Sequence, residues 1–271
     1  MPGSTANVGA GFDHIAIAVD LWLTARARVV RATRRSVRLL YGGTLAFGPN
    51  RIFQWREGLG SSAASTAAGI VLANTICELG LDKDRVIDIG AALEGHADNV
   101  AAAVLGGAVI VLKESASRFR GFPLPIAEGL RLVFAVPRDL RLETRSARAV
   151  LPVRIAHRRA VLAASRASAL VAGLRNGSAA LLRAALDDVL HVPYRRPLVV
   201  GFDRVVDAAL AAGAFGATLS GSGPSIVALT APDTAAPVGK AMVQAWKREN
   251  VAAAWLYSGA RTPGGVVVSS R

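Results

Sequence analysis

The chain has little cysteine, little lysine and no long uninterrupted apolar run. Its 271 residues include one cysteine, Cys77, which excludes a disulfide framework and a cysteine-rich metal site. No apolar stretch reaches the length of a membrane span without glycine, proline or charge. The N-terminal stretch MPGSTANVGAGFD lacks the basic and then apolar pattern of a secretory signal. We therefore expect a soluble protein with a reduced, cytoplasmic location and no membrane partner.

Lysine is scarce because arginine carries most of the positive charge. Only four of the 32 basic residues are lysines, and the formal net charge is +13. A basic surface for nucleic acid is one interpretation, and an arginine-rich composition spread over solvated faces is the other. Arginines are dense only in RATRRSVR, residues 31–38, where no aromatic residue interleaves. We expect no nucleic-acid partner, and an attraction for anionic substrates such as nucleotides.

The order of apolar segments predicts an α+β protein with two domains. Residues 15–31 are apolar, β-branched and partly alternating, which indicates strands, and residues 61–79 indicate a buried helix that is small and apolar on most faces. Residues 115–128 are polar and contain proline and glycine, so we place a domain boundary there, between 1–128 and 129–271. The second half runs strand, helices, two strands, helix, strand. That order favours an open α+β sandwich over a doubly wound parallel sheet.

The stretch REGLGSSAAS, residues 56–65, puts two glycines and two serines ahead of an apolar helix. Backbone N–H groups near Gly58 and Gly60 can approach an anion closely, and a helix start at Ser61 and Ser62 favours phosphate. A serine hydroxyl there can also reach a Mg²⁺ that bridges phosphates. The Gly-Lys-Ser/Thr ending of a Walker A loop is absent from the stretch. Alone, the pattern fits a phosphate loop and a serine-capped helix equally well.

The stretch LEGHADNVA gathers four polar side chains where a helical pattern is interrupted. Glu94 is a candidate Mg²⁺ ligand, because this ion takes oxygen ligands and few carboxylates. His96 and Asp98 are candidates for orienting a substrate hydroxyl or amine. The alternative is a hydrogen-bonded turn between two helices, with Asn99 as the N-cap.

Two further stretches combine small residues with polar ones. SGSGPS, residues 220–225, joins two apolar strands and lets the backbone approach a ligand, or is only a tight connection. STANVGAGFD, residues 4–13, contains Asn7 and Asp13 around a glycine-rich bend. That pair can bind a small polar substrate or simply make the turn.

In this order the stretches resemble the GHMP kinase superfamily of galacto-, homoserine, mevalonate and phosphomevalonate kinases, and most of all the homoserine kinases. PGSTANVGAGFD, GLGSSAAS and GATLSGSGPS are similar to the first, second and third family motifs. LEGHADNVAAAVLGG, LETRSARAVLP and LHVPYR are similar to homoserine kinase segments. The resemblance implies an abbreviated N-terminal nucleotide domain with a βαβ unit and a ferredoxin-like C-terminal α/β sandwich. It also implies an ATP- and Mg²⁺-dependent kinase that phosphorylates L-homoserine in threonine biosynthesis.

The resemblance also assigns roles to positions. The nucleotide phosphates would be cradled by Gly58, Leu59, Gly60, Ser61, Ser62 and Ala63, and Mg²⁺ would be bound by Ser62 and Glu94. The amino acid would be surrounded by Asn7, Asp13, His96, Asp98, Arg148, Arg195, Gly221 and Gly223. The catalytic set would be Asn99, Thr144 and Arg148.

The chemistry of these residues agrees with homoserine, which is a zwitterion. Its carboxylate attracts the guanidinium groups of Arg148 and Arg195, and its ammonium attracts Asp13 and the amide oxygen of Asn7. No strong general base is evident near the phosphate loop. We therefore expect that substrate geometry or Asn99 assists proton loss.

The chain departs from the family in three places. It begins inside the first motif, which predicts a start further upstream or the loss of a first strand. The family's helix between Asp13 and Gly58 is missing, and residues 54–57, QWRE, replace its proline and extra glycine. We expect the phosphate end of the nucleotide site to be kept and the adenine end to be rebuilt or lost, with Arg56 on phosphate and Trp55 against the base.

Two alternatives remain open at the level of the sequence. One is a GHMP-type kinase for another small hydroxylated metabolite, and the other is a catalytically impaired GHMP-fold protein that binds or regulates. A homodimer is also left open.

Overall fold

The computed structural model of the chain describes residues 1–29, 58–259 and 261–267. The strands are β1 Pro2–Ala6, β2 Ile15–Trp22, β3 Ala108–Lys113, β4 Phe119–Leu124, β5 Arg131–Pro137, β6 Gly216–Leu219, β7 Ile226–Thr230 and β8 Ala253–Gly259. The helices are α1 Ser61–Ile76, α2 Lys83–Glu94, α3 Asp98–Leu105, α4 Thr144–Ala149, α5 His157–Asn176, α6 Ala179–Leu186, α7 Val192–Arg195, α8 Phe202–Ala211 and α9 Ala235–Arg248. This order confirms the α+β class. The arginine cluster at 31–38 and the expectations for Trp55 and Arg56 lie outside the described residues.

The first sheet has the order β1-β2-β3-β4, and each neighbouring pair is antiparallel. Side chains alternate across β2, so Ile15 and Ile17 enter one core while Ala16 enters another. The chain leaves β2, forms α1, α2 and α3, and returns as β3 beside β2. The three helices and the Ala16 face of the sheet enclose a core of small residues. This packing brings the start of α1 and the α2–α3 turn to the same region as β1.

The second sheet has the order β6-β7-β5-β8, also antiparallel throughout. In chain order these four strands are arranged 2-3-1-4, which confirms the ferredoxin-like half. Helices α8 and α9 supply Val205, Met242 and Trp246 to a core that also contains Val133 of β5. Trp246 is fully buried, and its indole N–H donates to the Val200 carbonyl at 2.8 Å.

A third core joins the two halves of the chain. It packs Ile17 of β2 with Phe134 of β5 and with Leu170 and Leu182 of α5 and α6. The C-terminal tail also returns to the first half, since the Gly107 N–H donates to the carbonyl of residue 262 at 2.7 Å. The two sheets fall on either side of residue 128, and the division into 1–128 and 129–271 stays a prediction.

The segment expected to be a boundary contains a strand. β4 pairs with β3 in continuous register, from Ala108 opposite Leu124 to Lys113 opposite Phe119. The sequence FRGFPL hides this strand because glycine and proline usually indicate turns. Proline is tolerated here because β4 is an edge strand and lacks a partner for half of its backbone groups among the described strands.

Helix α1 differs from the predicted buried helix in length and burial. It ends at Ile76, and its buried residues are the four alanines 63, 64, 67 and 68. The high apolar content of the helix therefore reflects small residues, and its other residues are half-buried or exposed. None of the described helices has the length and apolar content that a membrane crossing requires.

Candidate active site

A cleft of about 410 Å³ opens where the first sheet, the start of α1 and the loop between β6 and β7 meet. The predicted site residues that line it are Asn7, Gly58, Gly60, Ser61, Ser62, Ala63, Glu94, His96, Asp98, Asn99, Thr144, Arg148, Arg195 and Gly221. Leu93, Leu142, Glu143 and Ser222 also line the cleft and were not predicted. The cleft thus combines residues of both halves of the chain.

Hydrogen bonds join the three glycine-rich stretches to one another. The Ser4 N–H donates to the Leu59 carbonyl at 3.0 Å, which ties β1 to the loop before α1. The Ser220 hydroxyl donates to the Gly58 carbonyl and lies 2.8 Å from the Thr5 hydroxyl. Segments far apart in sequence therefore form one continuous wall. This contact network explains why three separate stretches in the sequence carry small residues.

The loop before α1 requires glycine at two positions. Gly60 has φ +65°, and a Cβ there would lie 2.2 Å from the Ser4 hydroxyl oxygen. Gly58 has φ +83°, and a Cβ there would lie 2.4 Å from the Ser220 carbonyl oxygen. The backbone is consequently packed as closely as it can be against its neighbours, and only glycine fits.

The first turn of α1 has no side-chain cap among the described residues. Gly60 is the N-cap residue in the left-handed conformation, and no side-chain hydrogen bond closes the helix start. The serine-capped alternative for GLGSSAAS is therefore wrong. The orphan N–H groups and the positive end of the helix dipole instead lie at the cleft, which is where a phosphate is stabilised.

Glu94 lies at the C-terminal end of α2, opposite the start of α1. Its Oε1 accepts hydrogen bonds from the Ser62 hydroxyl at 2.9 Å and the Thr66 hydroxyl at 2.6 Å. Thr66 is a site residue that the sequence analysis missed, although it lies four residues after Ser62 and so shares its helix face. Among the described residues no cluster of three acidic, histidine or cysteine side chains could hold a metal. A carboxylate with hydroxyl neighbours fits Mg²⁺ that takes its other ligands from phosphate and water.

The half-buried His96 and the buried Asp98 form a pair at the α2–α3 turn. His96 Nδ1 lies 3.0 Å from Asp98 Oδ1, which also accepts the Asn99 N–H at 2.8 Å. Burial disfavours the His96 imidazolium, but the hydrogen bond and charge of Asp98 outweigh it, so the pKa of His96 is raised. Asn99 is itself held, because its Oδ1 accepts from the Ser4 hydroxyl at 2.9 Å.

Arg148, which lines the cleft, forms a bidentate ion pair with Asp13. Arg148 Nη2 lies 2.7 Å from Asp13 Oδ1, and Nη1 lies 3.0 Å from Oδ2. The Asp13 hydrogen bonds raise the pKa of Arg148, against the effect of burial. Asp13 does not line the cleft itself. Its backbone N–H donates to Asn7 Oδ1 at 2.8 Å, and its backbone has a φ of +61°. The predicted carboxylate ligand and the predicted ammonium ligand therefore neutralise each other in this structure.

Arg195 is a buried cation that faces the cleft. It is 1 % exposed, and its Nε donates to the Ala147 carbonyl at 3.0 Å. Burial, followed by the charge of Arg148, lowers the pKa of Arg195 to about 10, so the guanidinium stays charged at neutral pH. No carboxylate lies within ion-pair distance of it in the described part of the chain. A buried charge without a counter-charge is costly, so this site favours an incoming anion.

Besides Asp13, two more residues assigned to ligand binding do not line the cleft. Leu59 is 1 % exposed, and its side chain packs in the core between the two halves. Its carbonyl accepts the hydrogen bond from the Ser4 N–H. Gly223 has φ +87° and precedes the cis peptide to Pro224. Its neighbour Ser222 lines the cleft instead, with its hydroxyl 3.4 Å from that of Thr144.

Comparisons with known proteins agree with this geometry. The family model for the GHMP kinases N terminal domain matches residues 55–107, and that for GHMP kinases C terminal matches residues 170–248. A homoserine kinase of Parasynechococcus marenigrum (strain WH8102) is 34% identical over 93% of this chain and 89% of the relative.

Solved structures give the same result. The crystal structure of homoserine kinase from Cytophaga hutchinsonii has a TM-score of 0.81 and 29% identity, and covers 97% of this chain and 94% of its own. The L. major mevalonate kinase structure shares the fold, with a TM-score of 0.54 and 18% identity over 77% of this chain and 67% of its own. The chain belongs to the GHMP kinase family, a family of ATP-dependent kinases, and groups there with the homoserine kinases.

Proposed function

We propose that this protein transfers the γ-phosphate of ATP to the side-chain hydroxyl of L-homoserine, a step of threonine biosynthesis. One observation carries the proposal: a single cleft has a backbone-built phosphate loop at one end and paired charges suited to a zwitterion at the other. The homoserine kinases among its relatives support the same acceptor. Mevalonate lacks an ammonium group and would leave the acidic side chains of that end without a partner.

We assign nucleotide binding to the loop of residues 58–63, at the phosphate end of the cleft. Its backbone N–H groups and the uncapped start of α1 would receive the β- and γ-phosphate oxygens. Ser61 and Ser62 line the cleft there, whereas Leu59 supports the loop from the core. The tight contacts at Gly58 and Gly60 keep this loop in place before the nucleotide arrives.

We assign Mg²⁺ binding to Glu94 and Ser62. Bound there, Mg²⁺ would offset the negative charge of the phosphates. The Thr66 hydroxyl holds one oxygen of Glu94 and so orients the carboxylate.

We assign binding of the amino-acid group of homoserine to the charged residues at the acceptor end of the cleft. Arg195 and Arg148 would receive the carboxylate, because a planar guanidinium matches it in shape and charge. Asp13 and the Asn7 amide would receive the ammonium, with His96, Asp98 and Gly221 completing that part of the wall. Substrate binding would thereby replace the Asp13–Arg148 ion pair with two substrate contacts.

Transfer itself would depend on positioning. None of the described cleft residues is an obvious strong base beside the phosphate loop, and His96 is engaged by Asp98. Asn99 and Thr144 lie in the wall and can orient the hydroxyl towards the γ-phosphate. Phosphoryl transfer needs little else, because alignment and charge stabilisation supply most of the catalysis.

The test is incubation of purified protein with ATP, Mg²⁺ and L-homoserine, followed by ³¹P NMR of the product. We expect O-phosphohomoserine, and no phosphate ester from 4-hydroxybutanoate, which lacks the ammonium, or from mevalonate. Phosphorylation of another hydroxy acid but not of homoserine would favour the second kinase alternative. Absence of any Mg·ATP binding by calorimetry would favour the impaired, regulatory alternative. The cytoplasmic location and the homodimer stay predictions.

A further inference from the structure

Phe12, in the N-terminal loop after β1, lies against both arginines of the acceptor end. The Arg195 Cζ lies 5.1 Å from the centre of the Phe12 ring, and the Arg148 Cζ lies 5.9 Å from it. Both distances fall within the range of a cation–π interaction. One aromatic ring therefore contacts both of the guanidinium groups that we assign to the substrate carboxylate.

The two arginines need such a contact because they repel each other. They come from separate elements, α4 and α7, and the charge of Arg148 disfavours the charged form of Arg195. Arg148 has Asp13 as a counter-charge, whereas Arg195 has none within ion-pair distance among the described residues. The negative face of an aromatic ring attracts both cations at a place where an aliphatic side chain would attract neither.

The Phe12 ring also packs against a residue that the structure fixes in place, His191. It stacks on the His191 imidazole with centroids 5.0 Å apart and an angle of 22° between planes. His191 Nε2 lies 3.1 Å from the Gly9 carbonyl oxygen, and the Ala10 N–H donates to the Ala185 carbonyl at 2.9 Å. The loop that carries Phe12 is thus fixed to α6 and the start of α7, next to Arg195.

We propose that Phe12 is a positioning residue for the acceptor's carboxylate, because its ring face keeps the Arg148 and Arg195 guanidiniums together at one end of the cleft. The role requires aromaticity and not only volume. It rests on the proposed function, since it deepens the recognition of a carboxylate-bearing acceptor. The nucleotide end of the cleft is not touched by it.

The experiment compares Phe12→Leu with Phe12→Tyr in the full chain. For F12L we expect the KM of L-homoserine and its Kd by calorimetry to rise about 5- to 30-fold, as loss of two cation–π contacts implies. The kcat and the KM of ATP should change by less than about twofold, because the phosphate loop is unaltered. F12Y keeps the ring and should stay close to the wild type. Phe12→Met, which is also non-aromatic but unbranched and more adaptable, gives the same measurement if F12L lowers the melting temperature.

Phe215→Leu is the matched control, since Phe215 is also half-buried but packs against the central core away from the cleft. It should lower stability without raising the KM of homoserine. An unchanged homoserine KM in F12L, or an equal rise in F12L and F12Y, would overturn the positioning role. If the wild type neither binds nor phosphorylates homoserine, the proposed function fails and this inference fails with it.

Discussion

The two ends of the cleft recognise charge by different means. The phosphate end is made mainly of backbone, with two glycines in tight contact and an uncapped helix start. One carboxylate side chain, that of Glu94, lies beside them. The acceptor end is made of charged side chains that already pair with one another, as Asp13 does with Arg148 and His96 with Asp98. A backbone site binds one kind of group and is preformed, whereas paired side chains select a ligand that carries both charges. Substitutions should therefore damage one end without the other.

The largest effect is expected for Gly60→Ala at the phosphate end. The added Cβ would lie 2.2 Å from the Ser4 hydroxyl oxygen, at a φ of +65° that disfavours alanine. We expect the affinity for Mg·ATP to fall by roughly 100-fold or more, since even small displacements of a binding loop remove aligned contacts. Calorimetry with a non-hydrolysable ATP analogue measures this.

Gly69→Ala is the control for that variant because it makes the same substitution in the same helix. A Cβ at Gly69 meets nothing within 4 Å, so nucleotide affinity should be unchanged and stability should rise slightly. Equal nucleotide affinity in G60A and the wild type would contradict a preformed backbone site.

The next effect is expected for Arg148→Ala at the acceptor end. Loss of a charged, bidentate partner should raise the KM of homoserine by roughly 10- to 100-fold and leave the KM of ATP nearly unchanged. Arg145→Ala, on the same short helix but not in the cleft lining, is the matched control. If both KM values rise equally in R148A, Arg148 is not a carboxylate ligand.

A smaller effect is expected for Glu94→Gln. The amide keeps an oxygen that can accept from Ser62 and Thr66 but loses the negative charge. We expect the Mg²⁺ concentration for half-maximal turnover to rise by on the order of tenfold, because ligand charge sets the affinity for hard cations. The homoserine KM should stay constant. Asp84→Asn on the same helix is the control, and an unaltered Mg²⁺ requirement in E94Q would reject the assignment.

The smallest effect is expected for the titration of His191, which stacks on Phe12 at the acceptor end. Burial lowers the pKa of His191, because it disfavours the charged imidazolium. The charge of Arg195 also lowers this pKa, whereas the charges of Asp188 and Asp13 act in the opposite direction. Below about pH 6.5 the unfolded chain binds a proton at this residue that the native protein does not. Stability is therefore lost as pH falls through that value, by up to about 1.4 kcal/mol per pH unit.

His191→Asn removes this titration. Urea unfolding at pH 7 and pH 5 should show the stability difference between wild type and variant narrowing at the lower pH. A difference that stays constant would show that the native fold does not lower the pKa of His191, and a difference that widens at pH 5 would show that the native protein binds the proton more tightly than the unfolded chain.

The sequence predicted the phosphate end better than the residues that pack behind the acceptor end, because the phosphate end is formed by one short stretch of the chain. GLGSSAAS is local: its glycines and the helix start lie within a few residues, and the run of small apolar residues that follows indicates α1. Thr66 was missed although helix spacing could have indicated it. The Phe12–His191 stack joins residues of two distant segments, so no local pattern contains it.

The fold shows the same limit. The order of strands and helices predicted an open α+β sandwich, whereas the ferredoxin-like arrangement of the second half was what the family resemblance implied. Strand β4 was missed because its pairing with β3, and not its composition, makes it a strand. Likewise Gly223 was expected in the cleft, yet the turn geometry presents Ser222 instead.

The most direct test of this account is one set of steady-state measurements on R148A and E94Q. Initial rates are measured while L-homoserine and Mg·ATP are each varied at saturation of the other. The account predicts that R148A raises the KM of homoserine only, and that E94Q alters only the dependence on Mg·ATP. A rise of both constants in both variants would contradict the separation of the cleft into two independent ends.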